Sequence, residues 1–572
     1  MRAARGSLKT SLMPKTKPKS KRKSKKGKAQ PSSDKPPLSK KEEQAQKRQA
    51  ARERQELFKV LTPTAVASAA IGLLLFAVKG PALAVAGGGG LLVLVLSFKY
   101  PRQALWFFLF YMPFSGTITY SIGKGNALFQ LAKDGFYFPA LIALVQEWKR
   151  RRLPFVVNKK LVTPLKILLA VCILTILLVN GAQQFAPACS SLPNGGRGLL
   201  CRDKMPIALG ILGLKVFMGY IPLMTCAYYL IRNKKEFLFL TRLHVVLALI
   251  CCGLGIVQYL FLLTGRCAGT RNLTGDDLFK ATLDARCLIG GSLVYSPQVG
   301  MIRLPGTFVA PWQWAWFLIS NTFFTFAAAF SDPSLLWQIA GFAGLASVFV
   351  NAVISGQRIA LALVPVFVVI LLVLTGQIAN LKRFLPIAGG LGALGAIAMA
   401  MFPQVIEERV NSFIDRWNAS PPTEFIANQA EFTSEGQVGL LGKGLGRATN
   451  SARIFGNTAL IETWFPKVLY ELGPVGLLAF LFFVTALTVV TFKVYRSVKD
   501  KSLRSYGACF WVFILFISYN TYYYPLDVDP VAVYYWLFAG VLLKLPELDR
   551  QEREKLLEAE PEPLPAKKKK LR

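Results

Sequence analysis

Long apolar runs recur along the chain and constrain its fold more than any other feature. The sequence has 572 residues, of which 53% are hydrophobic and 17% are charged. Runs of about 18 or more apolar residues are long enough to cross the hydrocarbon core of a bilayer. We predict an all-α, polytopic integral membrane protein with about 14 transmembrane helices. They lie near residues 61–78, 81–98, 102–120, 127–147, 162–181, 206–231, 238–264, 306–330, 334–354, 358–376, 384–402, 464–492, 505–523 and 531–545.

Basic residues beside these runs predict the orientation. The formal net charge is +37, and much of the excess lies in two tails and in short loops rather than on a nucleic-acid-binding surface. Lysine and arginine concentrate in cytoplasmic loops. A cytoplasmic N-terminus, followed by alternation, places four basic loops inside: 147–152, 232–236, 380–383 and 493–504. We predict residence in the cytoplasmic (inner) membrane with both termini cytoplasmic, the lipid bilayer as a partner, and no nucleic acid.

The chain divides into three predicted parts. Residues 1–58 lack apolar periodicity and are rich in Lys, Ser, Pro and Gln, which is typical of a disordered cytoplasmic tail. Residues 59–545 form the membrane domain, and residues 546–572 form a second charged cytoplasmic tail. Alternation places three long segments outside, with room for extramembrane structure: 182–205, 265–305 and 403–463.

Four of the nine cysteines lie in the predicted outer segments, whereas the other five lie within predicted spans. Thiols in an oxidising compartment favour disulfides. Three connectivities are open, as is the alternative of four unpaired thiols. Proximity favours pairing within each loop, Cys189 with Cys201 and Cys267 with Cys287.

The sequence offers little of the usual hydrolytic or metal-binding chemistry. The lone histidine, His244, follows a basic loop at the end of a span and is predicted to be a packed or interfacial residue. The glycine-rich GKGLGRA (442–448) lacks the spacing that cradles nucleotide phosphates. We therefore predict neither a metal nor a cofactor, and an ATP-driven pump is disfavoured.

Two arginines lie at the predicted outer mouths of spans. Arg303 begins RLPGTFVAPWQWAWFL, and Arg358 enters the next outward-opening span in SGQRIALAL. A cation near hydrocarbon costs about 2.5–3.5 kcal/mol on insertion scales, so it normally meets a partner or lines a wet cavity. Guanidinium groups bind phosphate oxygens in bidentate fashion. The hypothesis is a pyrophosphate site, and the alternatives are headgroup anchoring or pairing with a loop carboxylate.

One carboxylate lies on the same predicted outer face. Glu462, in IETWFPKVLYELGPVGLLAF, lies where the large outer segment returns to the membrane. A carboxylate there is suited to accept a proton from a sugar hydroxyl. The alternatives are an ordinary interfacial glutamate or an ion-pair partner for one of the arginines.

These segments together resemble the O-antigen ligase/polymerase superfamily, whose members have a Wzy-C type core. RLPGTFVAPWQWAWFL resembles its Arg-x-x-Gly-x-Phe stretch, SGQRIALALVP its Ser-x-x-Arg segment, and ELGPVGL its Glu-Leu-Gly-x-x-Gly-Leu helix. The core resemblance covers about residues 290–490. LSFKYPRQALWFFLFYMPF, NALFQLAKDGFY and SYNTYYYPLDVDPVAVYYW extend it to the cyanobacterial proteins of hormogonium polysaccharide biosynthesis.

The resemblance implies a glycosyltransferase-type polysaccharide polymerase or ligase acting in exopolysaccharide biosynthesis. Its donor is a glycan on polyprenyl pyrophosphate, and Arg303, Arg358 and Glu462 are the implied catalytic residues. Family ligases usually place a His-Asn pair nine residues before the glutamate of the Glu-Leu-Gly motif. This chain has Glu462 and Thr463 there, which favours a polymerase or a divergent relative.

Three further residues are predicted to bind substrate: Arg447, Trp312 and Gln357. For Arg447 the alternative is a loop arginine facing water, and for Trp312 it is an interfacial aromatic belt. A polysaccharide-export machinery is a further predicted partner. Two other functions remain open, a membrane transporter of an anion or lipid-linked sugar and a non-catalytic assembly subunit.

Overall fold

The computed structural model describes residues 40–125, 129, 132–191, 201–278, 285–296, 301–378, 389, 396, 400, 403–419, 421–436 and 439–559. The chain divides into a unit of residues 1–62 and a unit of residues 63–572. Within the described residues, sixteen helices have eight or more residues, and the sheet has two strands. The fold is therefore all-α, as the apolar runs predict.

The first eight helices precede the sheet. They are α1 Lys40–Lys79, α2 Pro81–Lys99, α3 Pro101–Tyr111, α4 Ala132–Arg150, α5 Val162–Thr175, α6 Pro206–Met218, α7 Leu223–Leu230 and α8 Lys234–Leu263. The antiparallel strands are β1 Val294–Ser296 and β2 Met301–Arg303. The remaining helices are α9 Pro311–Ser331, α10 Leu335–Ile354, α11 Arg358–Leu374, α12 Pro403–Ala419, α13 Pro422–Glu435, α14 Trp464–Ser497, α15 Lys501–Tyr519 and α16 Val531–Ala559.

Eight segments among the described residues are long and apolar enough to cross a membrane, so the chain is a multi-pass membrane protein. They are Phe58–Val78, Lys159–Phe185, Pro206–Leu230, Lys234–Leu263, Leu335–Ile354, Trp464–Ser497, Lys501–Tyr519 and Val531–Glu558. The number of fourteen stays a prediction. The predicted span 384–402 and the basic loop 380–383 lie almost wholly outside the described residues.

The two predicted tails contain more helix than the sequence analysis expects. α1 begins at Lys40, within the expected disorder of 1–58, and residues 1–39 lie outside the described part. α16 likewise continues to Ala559, well into the tail expected at 546–572. Both stretches are rich in Ala, Glu, Gln, Lys and Arg, which favour helix without any apolar periodicity. Pairs four residues apart, such as Asp549 with Arg553 at 3.2 Å, add support.

Two other predicted spans are interrupted where proline removes a backbone donor. After α3, a 3₁₀ turn containing Pro113 leads through a short helix to a π-helical turn that ends at Ile122. The span predicted at 206–231 is divided into α6 and α7 by the turn that contains Gly219 and Pro222. In both regions helical turns lie on either side of the interruption.

The most deeply buried helix is α9, which packs against α8, α10, α11 and α15. From Trp314 to Ser331 its residues are all buried. Several of its polar side chains donate to carbonyls of their own helix, as where Ser320 donates to the carbonyl of Trp316 at 2.7 Å. His244 of α8 is fully buried and stacks on Phe324 of α9 with ring centroids 4.0 Å apart. The lone histidine is thus a packed residue.

Two of the predicted outer segments contain disulfides, and buried amide side chains hold them to neighbouring elements. Cys189 is bonded to Cys201 and Cys267 to Cys287, which is the within-loop pairing that proximity favours. The amide of Gln258 on α8 donates to the Cys287 carbonyl at 2.9 Å and to the carbonyls of Ile289 and Gly306. The segment that leads to Arg303 is thereby held against α8.

A kink in α14 positions the glycine-rich loop. Gly473 has φ 69° and ψ −175°, a conformation that essentially only glycine adopts. Its backbone approaches that of Gly442 so closely that a side chain would not fit. Two residues earlier, a Glu471 oxygen accepts hydrogen bonds from the Ala448 backbone N–H at 2.7 Å and from the Thr449 hydroxyl at 3.0 Å. The Glu-Leu-Gly motif therefore has a structural role.

We expect Gly473→Ala to destabilise the protein strongly. A Cβ there would lie 2.3 Å from the Leu440 carbonyl oxygen, and the backbone conformation adds about 1–3 kcal/mol of strain. The matched control is Gly253→Ala on α8, whose Cβ would meet open space. Thermal unfolding in detergent should give a midpoint several degrees lower for Gly473→Ala and an unchanged or higher midpoint for Gly253→Ala. Equal midpoints would contradict the assigned kink.

Candidate functional site

A cavity of about 1020 Å³ brings the three predicted catalytic residues together. Arg303, Arg358 and Glu462 all line it, although 159 residues of chain separate the first from the last. Of the predicted substrate-binding residues, Trp312 and Gln357 also line it. The residue pattern and the resemblance therefore lead to one site.

A backbone hydrogen bond joins the two segments that carry Arg303 and Arg358. Arg303 is the last residue of β2, and Leu304 directly after it donates its N–H to the Ser355 carbonyl at 3.0 Å. Ser355 ends α10, and Gly356 turns the chain with φ 69° into Arg358, the first residue of α11. The guanidinium of Arg358 donates to the Ser412 hydroxyl of α12 at 3.4 Å.

Glu462 is held by the loop between α15 and α16. Its backbone carbonyl accepts from the Tyr524 N–H at 3.0 Å, and the Trp464 N–H donates to the Thr521 carbonyl at 2.7 Å. The backbone N–H of Glu462 donates to the side-chain oxygen of Gln429 on α13 at 3.1 Å. The end of the predicted outer segment is thus fixed both by the loop between α15 and α16 and by α13.

Consecutive tyrosines of that loop connect the predicted residues, and the sequence analysis missed them. The Tyr523 hydroxyl donates to Gln357 at 3.2 Å and interacts with Arg303. Burial, opposed by the Arg303 charge and reinforced by the Glu462 charge, raises the pKa of Tyr523 to about 12. Burial and then the neighbouring Glu462 carboxylate also raise the pKa of Tyr524. Both phenols therefore stay protonated near neutral pH, as hydrogen-bond donors.

The backbone at these tyrosines is strained. Tyr523 and Tyr524 have φ values of 65° and 55°, in the left-handed region that bulky residues rarely adopt. Strain of this kind persists where the surroundings impose it and tends to cluster at functional sites. The run YYYPLDVDP between two apolar stretches was the available signal.

Four helices begin at the cavity wall. Pro311 opens α9 and Arg358 opens α11, while Glu462 and Asp529 each lie two residues before the start of α14 and α16. The first N–H groups of a helix lack intrahelical partners and carry a partial positive charge. Their convergence supplies a positive potential that favours an anion.

The charges of the lining are more balanced than two predicted arginines suggest. Five cationic side chains line the cavity together with four carboxylates: Lys133, Lys215, Arg303, Arg358 and Arg453 with Asp134, Glu462, Asp527 and Asp529. Three of these carboxylates form ion pairs. Lys133 pairs with Asp529, Lys215 with Asp134 at 2.7 Å, and Lys467 just outside the lining with Asp527 at 2.5 Å.

Arg447, for which substrate binding is predicted, lies outside the cavity lining, and its guanidinium is enclosed rather than facing water. The substrate-binding role stays a prediction. The Arg447 guanidinium pairs with Asp203 at 2.6 Å and donates to Gln183 at 2.6 Å, away from the cavity lining. Burial alone raises the pKa of Asp203, but hydrogen bonds from Arg447 and Asn457 and the Arg447 charge outweigh it and lower that pKa. The partner lies 244 residues earlier, beyond the reach of local sequence reasoning.

A different arginine of the same segment reaches the cavity. Arg453 lies in the 3₁₀ helix Asn450–Phe455, is exposed, and donates to the Asn450 side chain at 2.8 Å. Of the three tryptophans that open α9, only Trp312 lines the cavity, since Trp314 and Trp316 are buried. Among the described residues, no group of three or more His, Cys, Asp or Glu side chains could hold a metal ion.

Comparisons with known proteins add no family assignment. No family model matches the chain, and no curated protein matches it with significant similarity.

We expect substitutions of Arg447 and of Arg453 to differ in their effect on the stability of the protein. Arg447→Met removes the ion-pair partner of the partly buried Asp203, which costs about 1–3 kcal/mol, whereas Arg453→Met at an exposed position should stay within about 0.5 kcal/mol. Because the folded pKa of Asp203 is lowered, its stabilising contribution is present above its ordinary pKa of about 4 and is lost at lower pH. Thermal unfolding at pH 7 and at about pH 2, well below the ordinary pKa, should show the Arg447→Met defect shrinking with acid. A defect that is the same at both pH values would contradict the assignment.

Proposed function

We propose that the chain is a polysaccharide polymerase or ligase that transfers glycan from a polyprenyl-pyrophosphate donor to an acceptor glycan. The observation that carries the proposal is the shared cavity of Arg303, Arg358 and Glu462. The resemblance of RLPGTF, SGQRIA and ELGPVGL to the O-antigen ligase/polymerase superfamily supports it. The wider resemblance, to the cyanobacterial hormogonium polysaccharide biosynthesis protein HpsL, suggests an exopolysaccharide as product.

In this proposal the pyrophosphate lies between Arg303 and Arg358. Two guanidiniums from different elements fit two phosphoryl groups, and the first N–H groups of α11 add donors on the same side. Negative charge grows on the pyrophosphate as its bond to the sugar breaks. Groups fixed in advance by the Leu304–Ser355 hydrogen bond stabilise that growing charge more than the ground state.

Glu462 is the proposed general base. The acceptor hydroxyl oxygen forms a bond to the anomeric carbon, its proton passes to the Glu462 carboxylate, and the carbon–oxygen bond to the pyrophosphate breaks. The phenol of Tyr524, protonated and adjacent, orients the carboxylate. The activated donor supplies the free energy of transfer.

The finer topology belongs to the same proposal. We place the cavity at the outer face of the cytoplasmic membrane, both termini in the cytoplasm, and up to fourteen spans in the bilayer. The basic loops at 147–152, 232–236 and 493–504 support that orientation. The product would pass to a polysaccharide-export machinery.

We expect Glu462→Gln to lower glycan transfer about 10²–10⁴-fold, because general-base help of this kind is lost. The assay uses purified protein in proteoliposomes, without an ion gradient, with polyprenyl-pyrophosphate-linked oligosaccharide extracted from the source cells. The matched control is Glu424→Gln, which makes the same change from carboxylate to carboxamide at an exposed position on α13 in the same outer segment. It should retain full activity.

Donor binding separates this proposal from the two other functions. Glu462→Gln should still bind the lipid-linked donor. A transporter would instead move solute across sealed vesicles and tolerate the substitution. Transfer by Glu462→Gln at the wild-type rate would contradict the proposed base.

A further inference from the structure

A second charged cluster lines the same cavity, and the proposed transfer step does not use it. It consists of Lys133 and Asp134 at the start of α4, Lys215 on α6 and Asp529 before α16, and we name these four residues the paired-charge cluster. Lys133 pairs with Asp529, and Lys215 pairs with Asp134 at 2.7 Å. The four side chains are only 12–28% exposed.

The paired-charge cluster has its own electrostatic neighbourhood. The Tyr220 hydroxyl donates to Asp134 at 3.4 Å and also experiences the charge of Asp529. Tyr523, by contrast, experiences the charges of Arg303 and Glu462. One cavity therefore contains two differently charged regions. The loop that precedes α16 carries Asp527, which pairs with Lys467 and adjoins both regions.

The two regions differ in net charge. Arg303, Arg358 and Arg453 outnumber Glu462 in the first, which is therefore cationic. The paired-charge cluster has two ammonium groups and two carboxylates in direct contact, so it is formally neutral. An anionic group at the cluster would meet two carboxylates as well as two ammonium groups, so the formal charge gives it no net attraction. The net charge of the first region therefore favours anions, whereas that of the second does not.

The cluster is nonetheless rich in hydrogen-bonding capacity. An ammonium has three donors and a carboxylate about four acceptor sites, so one ion pair does not use the full hydrogen-bonding capacity of either group. Donors and acceptors thus alternate at short spacing, which suits hydroxyl groups, since each both donates and accepts. Ion pairs this buried seldom improve stability over apolar residues of similar size, so binding is the better account of two adjacent pairs.

We infer that the paired-charge cluster is a subsite for an uncharged sugar of the glycan, and that it selects neutral over acidic residues at that position. The inference rests on the proposed function for the role of this sugar as part of the acceptor. Its binding preference is independent of any transfer step. The chemical class is therefore a neutral, polyhydroxylated saccharide.

The test measures binding of soluble hexasaccharides to the purified full chain in detergent. One panel contains neutral hexoses in several linkages, and the other contains uronic acids in the same linkages. The wild type should bind its best neutral member at least about tenfold more tightly than its best acidic member. Asp134→Asn leaves Lys215 uncompensated and should lower this preference at least about fivefold, whereas Lys215→Met should raise it by disfavouring acids further.

Opposite shifts from the two variants distinguish charge selection from partial unfolding, which would weaken both panels together. Inorganic pyrophosphate binding reports on the arginine region separately, and should be unchanged in both variants and lost in Arg303→Met. Failure of pyrophosphate to bind the wild type would overturn the proposed function and leave the sugar preference standing. Equal binding of both panels, binding of neither panel, or an unchanged ratio in both variants would overturn the inferred subsite.

Discussion

The hydrogen bond from the Leu304 N–H to the Ser355 carbonyl is the contact on which the candidate site depends. It joins the end of β2 to the turn between α10 and α11, and so brings together arginines that are 55 residues apart. The segment before it is fixed to α8 by Gln258 and the Cys267–Cys287 disulfide. Bonds of this kind hold charged groups in place before a ligand arrives, which is how electrostatic stabilisation becomes effective.

The membrane explains why such a site is built at helix ends. Charged groups are costly within hydrocarbon, so they gather where helices begin and where water has access. In this chain the starts of α9, α11, α14 and α16 meet at one cavity. Their N–H groups and the arginines favour an anion, while the carboxylates and tyrosines supply proton acceptors and hydrogen-bond donors. An arginine at the start of an apolar helix thus lines a polar cavity.

Local sequence patterns predicted what lies at the edges of apolar runs. Arg303, Arg358 and Glu462 are recognisable because each interrupts or borders such a run, and Gln357 follows by adjacency. Residues whose role depends on distant partners were not predictable. The ion pair of Arg447 with Asp203 spans 244 residues, and the Lys133–Asp529 pair spans 396 residues. The helical tails were missed because helix propensity needs no apolar periodicity.

The central claim is that Arg303 and Arg358 together bind the diphosphate of a lipid-linked glycan beside Glu462. The most direct measurement is a cryo-electron microscopy structure of the full chain in a lipid nanodisc with bound polyprenyl pyrophosphate. The account predicts diphosphate density in contact with both guanidiniums, with the polyprenyl tail in the bilayer and Glu462 facing the position of the departing sugar. Diphosphate density elsewhere on the protein, or contacts with neither arginine, would contradict it.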